Sequence, residues 1–273
     1  MVRRNFAQVL REGKIDLKNE YSKLYDIFYR RSRRDGKSIA DLVSEHFTDY
    51  EFRGTCLTLD EFEWTYGINF VEQPQNFDID YLVSFCEYIY NFIHNTDYRA
   101  FFSSFDKGSH LDQIRRVIEA IGYMESSENG ITIFVPKDNV AVSVAESYLI
   151  PPDVSYKVIS YNHHSLKGNI EAKKIILIKF AELLEPRENE LGGIDGTFKK
   201  DLFALFNNMN IRHNNIDPAD PKNYKQNIAE MSKDDLEHWY DEIYQMCLLA
   251  FMRLEHFERR KAIDTLKSEW DKK

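Results

Sequence analysis

The sequence predicts a mainly α-helical protein: an α-rich N-terminal region with one small β-hairpin, followed by a C-terminal helical bundle. Three observations carry this. The 273 residues include only 11 Gly and 7 Pro, too few for a turn-dense β fold. Apolar residues recur at helical spacing along most of the chain. One stretch, near residues 123–135, joins turn chemistry to a β-branched run. Aromatic residues are 14% of the chain, which supplies enough apolar area to exclude a disordered or low-complexity polypeptide.

Asp16 to Arg31 reads as an amphipathic helix, with Leu17, Tyr21, Leu24, Tyr25 and Phe28 on one face. Ser38 is placed to cap a short helix running through Phe47. From Phe52 to Phe77, Gly54, Gly67 and Pro74 interrupt aromatic pieces, and the pattern assigns no element. Asp78 or Asp80 caps a helix over Tyr81–Ile93, striped by Leu82, Phe85, Cys86, Ile89 and Tyr90. A further helix spans Leu111–Ile121 and stops at Gly122. Glu128-Asn129-Gly130 then turns the chain into Ile131–Val135, a hairpin packed on the preceding helix.

Asn139–Tyr148 is helical in pattern, and Pro151-Pro152 marks the expected boundary between residues 1–150 and residues 151–273. Beyond it, Asn169 precedes a long helix, Ile170–Leu184, with a kink and continuation after Pro186. GGIDGT reads as the loop before a helix over Phe198–Asn208. Residues 211–224 are rich in Asn, Asp and Pro and are loop-like at least from Ile216. The last helix starts near Ser232, with Asp235 completing an approximate capping box. Its residues Leu236, Tyr240, Ile243, Cys247, Ala250, Leu254 and Phe257 alternate steps of four and three, the spacing of a helix seam. Further apolar residues (Trp239, Leu249 and Phe251 among them) widen the surface beyond one stripe, enough for both an intrachain core and a subunit interface.

The formal net charge is −9, from 36 Lys/Arg against 45 Asp/Glu, which argues against indiscriminate binding to DNA. Residues 1–37 reverse the sign, with eleven Lys/Arg and five Asp/Glu. Arg30, Arg31, Arg33 and Arg34 form the densest basic cluster: either a solvated helix end complementing the dipole or a contact for phosphate or an acidic partner protein. Cys56, Cys86 and Cys247 form no paired framework, and the polar start MVRRNFAQVL lacks a signal-peptide pattern. A reducing, cytoplasmic setting is expected. No apolar run reaches transmembrane length, so no membrane association is expected.

Few motifs carry chemistry. GGIDGTFKK lacks phosphate-loop spacing. His163 and His164 are adjacent, and on a helix would point about 100° apart, unsuited to sharing a metal; a solvated or capping role is expected. Neither a metal nor a cofactor is expected. The run Asn207-Asn208-Met209-Asn210-Ile211-Arg212-His213-Asn214-Asn215 is different. Arg212 offers forked donors for phosphate oxygens, His213 supplies an imidazole that can move a proton, and the amides can orient ribose or phosphate. These are parts for metal-free RNA cleavage by a 2′-hydroxyl. Alternatively, Asn and His cap a helix while Arg212 pairs with an acidic neighbour.

Three pieces, ISYNHHSLKGNIEAKKIILIKFAELLEPRENEL, DLFALFNNMNIRHNN and HWYDEIYQMCLLAF, resemble HEPN domains of abortive-infection (AbiJ-like) proteins, over the C-terminal part of the chain. The resemblance implies a helical bundle that forms a homodimer and acts on RNA in phage defence, as a metal-independent endoribonuclease. Carried onto this sequence, Arg212 stabilises the charged transition state, His213 is acid or base, and Asn214 orients them. Asn208, Asn215 and His238 contact RNA. The family motif has a distal His, where this chain has Ile216, Asp217 and Pro218; His238 is the imidazole a fold could bring instead. The alternative is a non-catalytic dimerising interaction or sensor module that meets a partner protein through its N-terminal region.

Overall fold

The structure, a computed structural model, describes residues 15–32, 36–96 and 106–270. The chain divides into two compact units, residues 1–137 and 138–273. The Pro151-Pro152 step therefore lies inside the second unit. Arg33 and Arg34 lie outside the described residues.

In the first unit, α1 (Leu17–Tyr29) starts on Asp16, whose carboxylate accepts the Asn19 N–H at 3.1 Å, and it buries Tyr21, Leu24 and Phe28. Helix α2 (Ile39–Glu45) starts on a reciprocal box between Ser38 and Asp41. The segment left unassigned by pattern contains α3 (Leu59–Tyr66), capped by Thr58 and closed by left-handed Gly67 at φ 65°. Of the two candidate caps for the next helix, Asp78 serves: α4 (Ile79–Asn95) begins on it and is buried along most of its length. Helix α5 (Lys107–Ala120) begins on Asp106, one turn before the expected start.

The hairpin follows. Strands β1 (Tyr123–Glu128) and β2 (Ile131–Pro136) pair antiparallel, from Glu128↔Ile131 to Tyr123↔Pro136. Asn129 and Gly130, at φ 52° and 78°, have the left-handed geometry that a two-residue hairpin turn demands. The free edge of β2 is closed by α4 rather than by a strand. Asn91 Oδ1 accepts the Thr132 N–H at 2.8 Å, and its Nδ2 donates to the Thr132 carbonyl at 2.7 Å. Glu87 accepts the Phe134 N–H at 2.6 Å. Side chains thus stand in for a third strand on an edge otherwise open to mispairing.

Rings fill this unit. Phe85, Tyr88 and Phe92 of α4 meet Tyr21, Phe62 and Phe70 with centroids 4.9–6.0 Å apart, tilted or edge-on, the geometry aromatic quadrupoles favour. Beside them lies an apolar cleft of about 460 Å³, lined by Phe52, Phe62, Tyr66, Phe70 and the hairpin residues Ile131 and Ile133 among others.

In the second unit, α6 (Asn139–Ala145) is capped by Asp138 and packs on α7 (Pro152–Ser160). Pro152 opens α7 at the first helical position, where its missing N–H removes nothing. Helix α8 (Ile170–Leu184) is capped by Asn169. After the Glu185–Arg187 turn the chain continues as α9 (Glu188–Ile194). GGIDGT is not a loop: Gly192 and Gly193 belong to α9, and Asp195 caps α10 (Gly196–Asn208). The Asp195 carboxylate also takes a 2.7 Å bond from Arg253, which joins the two helices to the last. A short helix, α11 (Gln226–Ala229), precedes α12 (Lys233–Trp270), whose Ser232–Asp235 start matches expectation.

The seam of α12 is consumed within the unit. Tyr240, Ile243, Cys247, Ala250 and Leu254 are buried together with Ile176, Leu177, Phe180 and Leu184 of α8. Tyr244 stacks on Tyr161 at 4.0 Å and donates to the Val158 carbonyl at 2.8 Å. No helix among the described residues is long and apolar enough to cross a membrane.

Replacing Asn91 by Leu keeps the branched side-chain skeleton but leaves a buried N–H and C=O of Thr132 unpaired. The expected cost is about 2–4 kcal/mol in denaturant unfolding of the first unit, against under about 1 kcal/mol for a substitution at exposed Leu57.

Candidate functional site

Arg212 and His213 stand just past the end of α10. The helix closes with the Met209 N–H on the Leu205 carbonyl at 2.9 Å. Asn210 then turns left-handed at φ 57°, a conformation Asn tolerates better than most residues. This reversal returns the Arg212 N–H to the Phe206 carbonyl at 3.0 Å. Met209 and Ile211 are buried in the unit's core. Asn215 holds the rest: its Oδ1 accepts the Asn210 N–H, its Nδ2 donates to the Asn223 carbonyl, both at 2.7 Å, and its carbonyl accepts the Lys225 N–H. Inward anchors at 209, 211 and 215 leave Arg212 half-buried and His213 and Asn214 exposed.

The Arg212 guanidinium is oriented. Nη2 donates to the Glu185 carboxylate, and Nη1 donates to Asn207 Oδ1 at 3.2 Å. Arg212 is 26% exposed and Glu185 51%. Glu185 sits at the C-terminal end of α8, where the helix dipole also favours a cation. The His213 imidazole has no hydrogen-bond partner among the described residues.

The predicted site residues divide three ways. Arg212, His213 and Asn214 share one edge of the second unit. Asn208 is exposed nearby, but its Nδ2 bonds back to the Ala204 carbonyl at 2.7 Å. Asn215 is 1% exposed, and both ends of its amide are occupied by the loop, so it shapes the edge from inside instead of touching a ligand. His238 is exposed and stands elsewhere. Its neighbour Glu237 grips the Gly168 N–H and Lys173, at the N-terminal end of α8, whereas Arg212 holds Glu185 at the other end. The fifteen residues of α8 separate the two by about 20 Å. Nor does the loop supply an imidazole at 216–218: Asp217 accepts the Ala219 N–H.

Sequence reasoning did not single out Glu185, nor a second charged cluster. Lys173, 5% exposed, reaches Glu237 at 2.6 Å and Asp241 at 2.7 Å. Tyr161 donates to the same Asp241 at 3.1 Å, beside a polar hollow of about 160 Å³. The signal was a lysine at position 173, on the face that continues through Leu177, Phe180 and Leu184. Burial would raise the Glu237 carboxyl, but the bonds from Lys173 and Gly168 and the ammonium's charge hold it below the usual range. Burial, and then the Asp241 charge, push the Tyr161 phenol up, so it remains a donor. His163 takes the capping role: its Nδ1 accepts the Ser165 N–H at 3.3 Å at the start of the 3-10 turn His164–Leu166, and its ring centroid lies 4.2 Å from that of His164.

No family model matches the chain, and neither a curated protein nor a solved structure matches it significantly.

Because folding lowers its pKa, Glu237 stabilises the second unit above its unfolded value, and that contribution is lost as pH falls through the folded value. Unfolding curves from about pH 6 to pH 3 should show this decline, and Glu237→Gln should flatten it. Lys173→Met should cost about 2–3 kcal/mol near neutral pH by leaving Glu237 and Asp241 unpaired.

Proposed function

We propose that the second unit is a HEPN-like bundle that binds RNA along the Arg212–Asn214 edge and cuts it without a metal, in the phage-defence role the sequence resemblance implies. One observation carries this reading: a guanidinium already oriented by Glu185 and Asn207 lies beside an open imidazole on a loop pinned from within. Arg has five N–H donors, and the two side-chain partners leave others to meet a phosphate. In the reaction the ribose 2′-oxygen bonds to phosphorus and the bond to the 5′-oxygen breaks. Arg212 stabilises the charge on the non-bridging oxygens, and His213 takes the 2′-hydroxyl proton or returns one to the leaving oxygen. Asn214 orients the sugar–phosphate, with Asn208 at the margin.

A second reading, a non-catalytic interaction or sensor module, is favoured by two specific facts. Glu185 already neutralises Arg212, and His238 is at the far end of α8. In that reading the first unit meets a partner protein and the second one serves assembly.

Incubating the purified chain with mixed RNA and chelator separates the two. Cleavage that falls about 100-fold or more in Arg212→Ala, and comparably in His213→Ala, supports the nuclease. Since Arg212 pairs with a half-exposed carboxylate, the same variant should lose under about 1 kcal/mol of stability. Intact RNA, or cleavage unchanged in Arg212→Ala, overturns the nuclease and leaves the interaction module.

A further inference from the structure

Helix α12 carries a second seam, opposite the one that builds the core. Beyond Trp239, its exposed large apolar side chains are Leu249, Met252, Ile263, Leu266 and Trp270, each between 40% and 64% exposed. With exposed His256 and Arg259 between them, they form one unbroken alternation of three and four steps from 249 to 270. That is a heptad stripe, with Leu249, His256, Ile263 and Trp270 in one row and Met252, Arg259 and Leu266 in the other. Leu249 follows core residue Cys247 by two positions, about 200° around the helix. The stripe therefore faces away from the unit's own interior.

The helix also outruns the buried core of its unit. Leu254 is the last buried residue of α12 among those described, and the helix continues to Trp270, about 24 Å further. Continuous with the bundle's own helix, that segment is spared the cost of nucleation. Its exposed apolar row calls for cover.

Flanking charges say what covers it. On one side of the stripe stand Arg253, Arg260 and Lys267, on the other Glu255, Ala262 and Glu269. When two such helices run parallel and in register, the acidic flank of one meets the basic flank of the other, and Glu255 faces the second copy's Arg260, twice by symmetry. Antiparallel pairing would set basic flank against basic flank. Within one copy Glu255 contacts Arg259 at 2.8 Å, so a short swing exchanges an intrahelical pair for an interhelical one. His256 and Arg259 form a polar layer of the sort that fixes register and strand number at some cost in stability.

We propose that residues 249–270 of α12 form a parallel, in-register, two-stranded coiled coil with a second copy of this chain. The bundle presents the helix already formed, so pairing does not have to order it. This gives the homodimer that the sequence resemblance implies a surface, and its test reads assembly alone, so RNA cleavage can fail while the pairing stands.

Sedimentation of the full chain measures the dimer, and Leu266→Glu should weaken it at least about 100-fold with unchanged helicity, because Leu266 is exposed in the single copy. Glu255→Arg should weaken it, and adding Arg260→Glu should restore it. Leu266→Cys should cross-link to its own counterpart on mild oxidation, since facing positions of a parallel pair lie within disulfide reach; Cys56, Cys86 and Cys247 are buried and do not compete. A chain that stays monomeric at about 100 μM, a dimer indifferent to Leu266→Glu, or no cross-link at position 266 overturns the proposal.

Discussion

The second unit depends on one clasp: the Lys173 ammonium, taken out of water, held between Glu237 and Asp241 where α8 meets α12. A buried charge that lost these partners would be strongly destabilising, so α8 cannot slide along α12 without breaking it. The Tyr161–Tyr244 stack and the Tyr244–Val158 hydrogen bond lock the same end. With α8 held in register there, its far end is fixed as well. Glu185 then stands where the reversal after α10 delivers Arg212. The position of the guanidinium is set by ion pairing at the other end of α8.

Much of the fold was legible because its signals are local. Asp16, Ser38, Asp78 and Asn169 each precede an apolar stripe and each caps a helix. Asn129-Gly130 makes the turn its chemistry requires. The Phe52–Phe77 stretch hid a helix although Thr58, Glu61 and Gly67 spell its start and stop; the flanking glycines and proline obscured an eight-residue element. GGIDGT misled in the opposite sense. Glycines discourage a helix interior by only about 1 kcal/mol each, and the Asp195 cap, with its tie to Arg253, outweighs that. The Pro pair ended no domain, because proline is as good a first helical residue as it is a helix breaker.

The candidate site was legible in composition but not in allocation. The run of asparagines is uniform as text, yet each has a separate fate: Asn207 orients a guanidinium, Asn208 bonds back onto its own helix, Asn210 makes the turn, Asn214 faces solvent and Asn215 ties the loop from inside. Nothing local distinguishes them, because their roles are set by which side of a left-handed turn each falls on. The same holds for Glu185 and Lys173, whose partners lie 27 and 64–68 residues away in sequence.

The two units enclose separate hydrophobic interiors, one from Tyr21 to Phe134 and one from Ala141 to Leu254. Each interior has its own reason to melt. A calorimetric trace of the whole polypeptide is therefore expected to superpose two cooperative events, so that no single midpoint describes it. A lesion at the helix–hairpin contact displaces one event, and a lesion at the ion-pair clasp displaces the other. Assigning a destabilised variant to its unit thus needs no more than seeing which endotherm has moved.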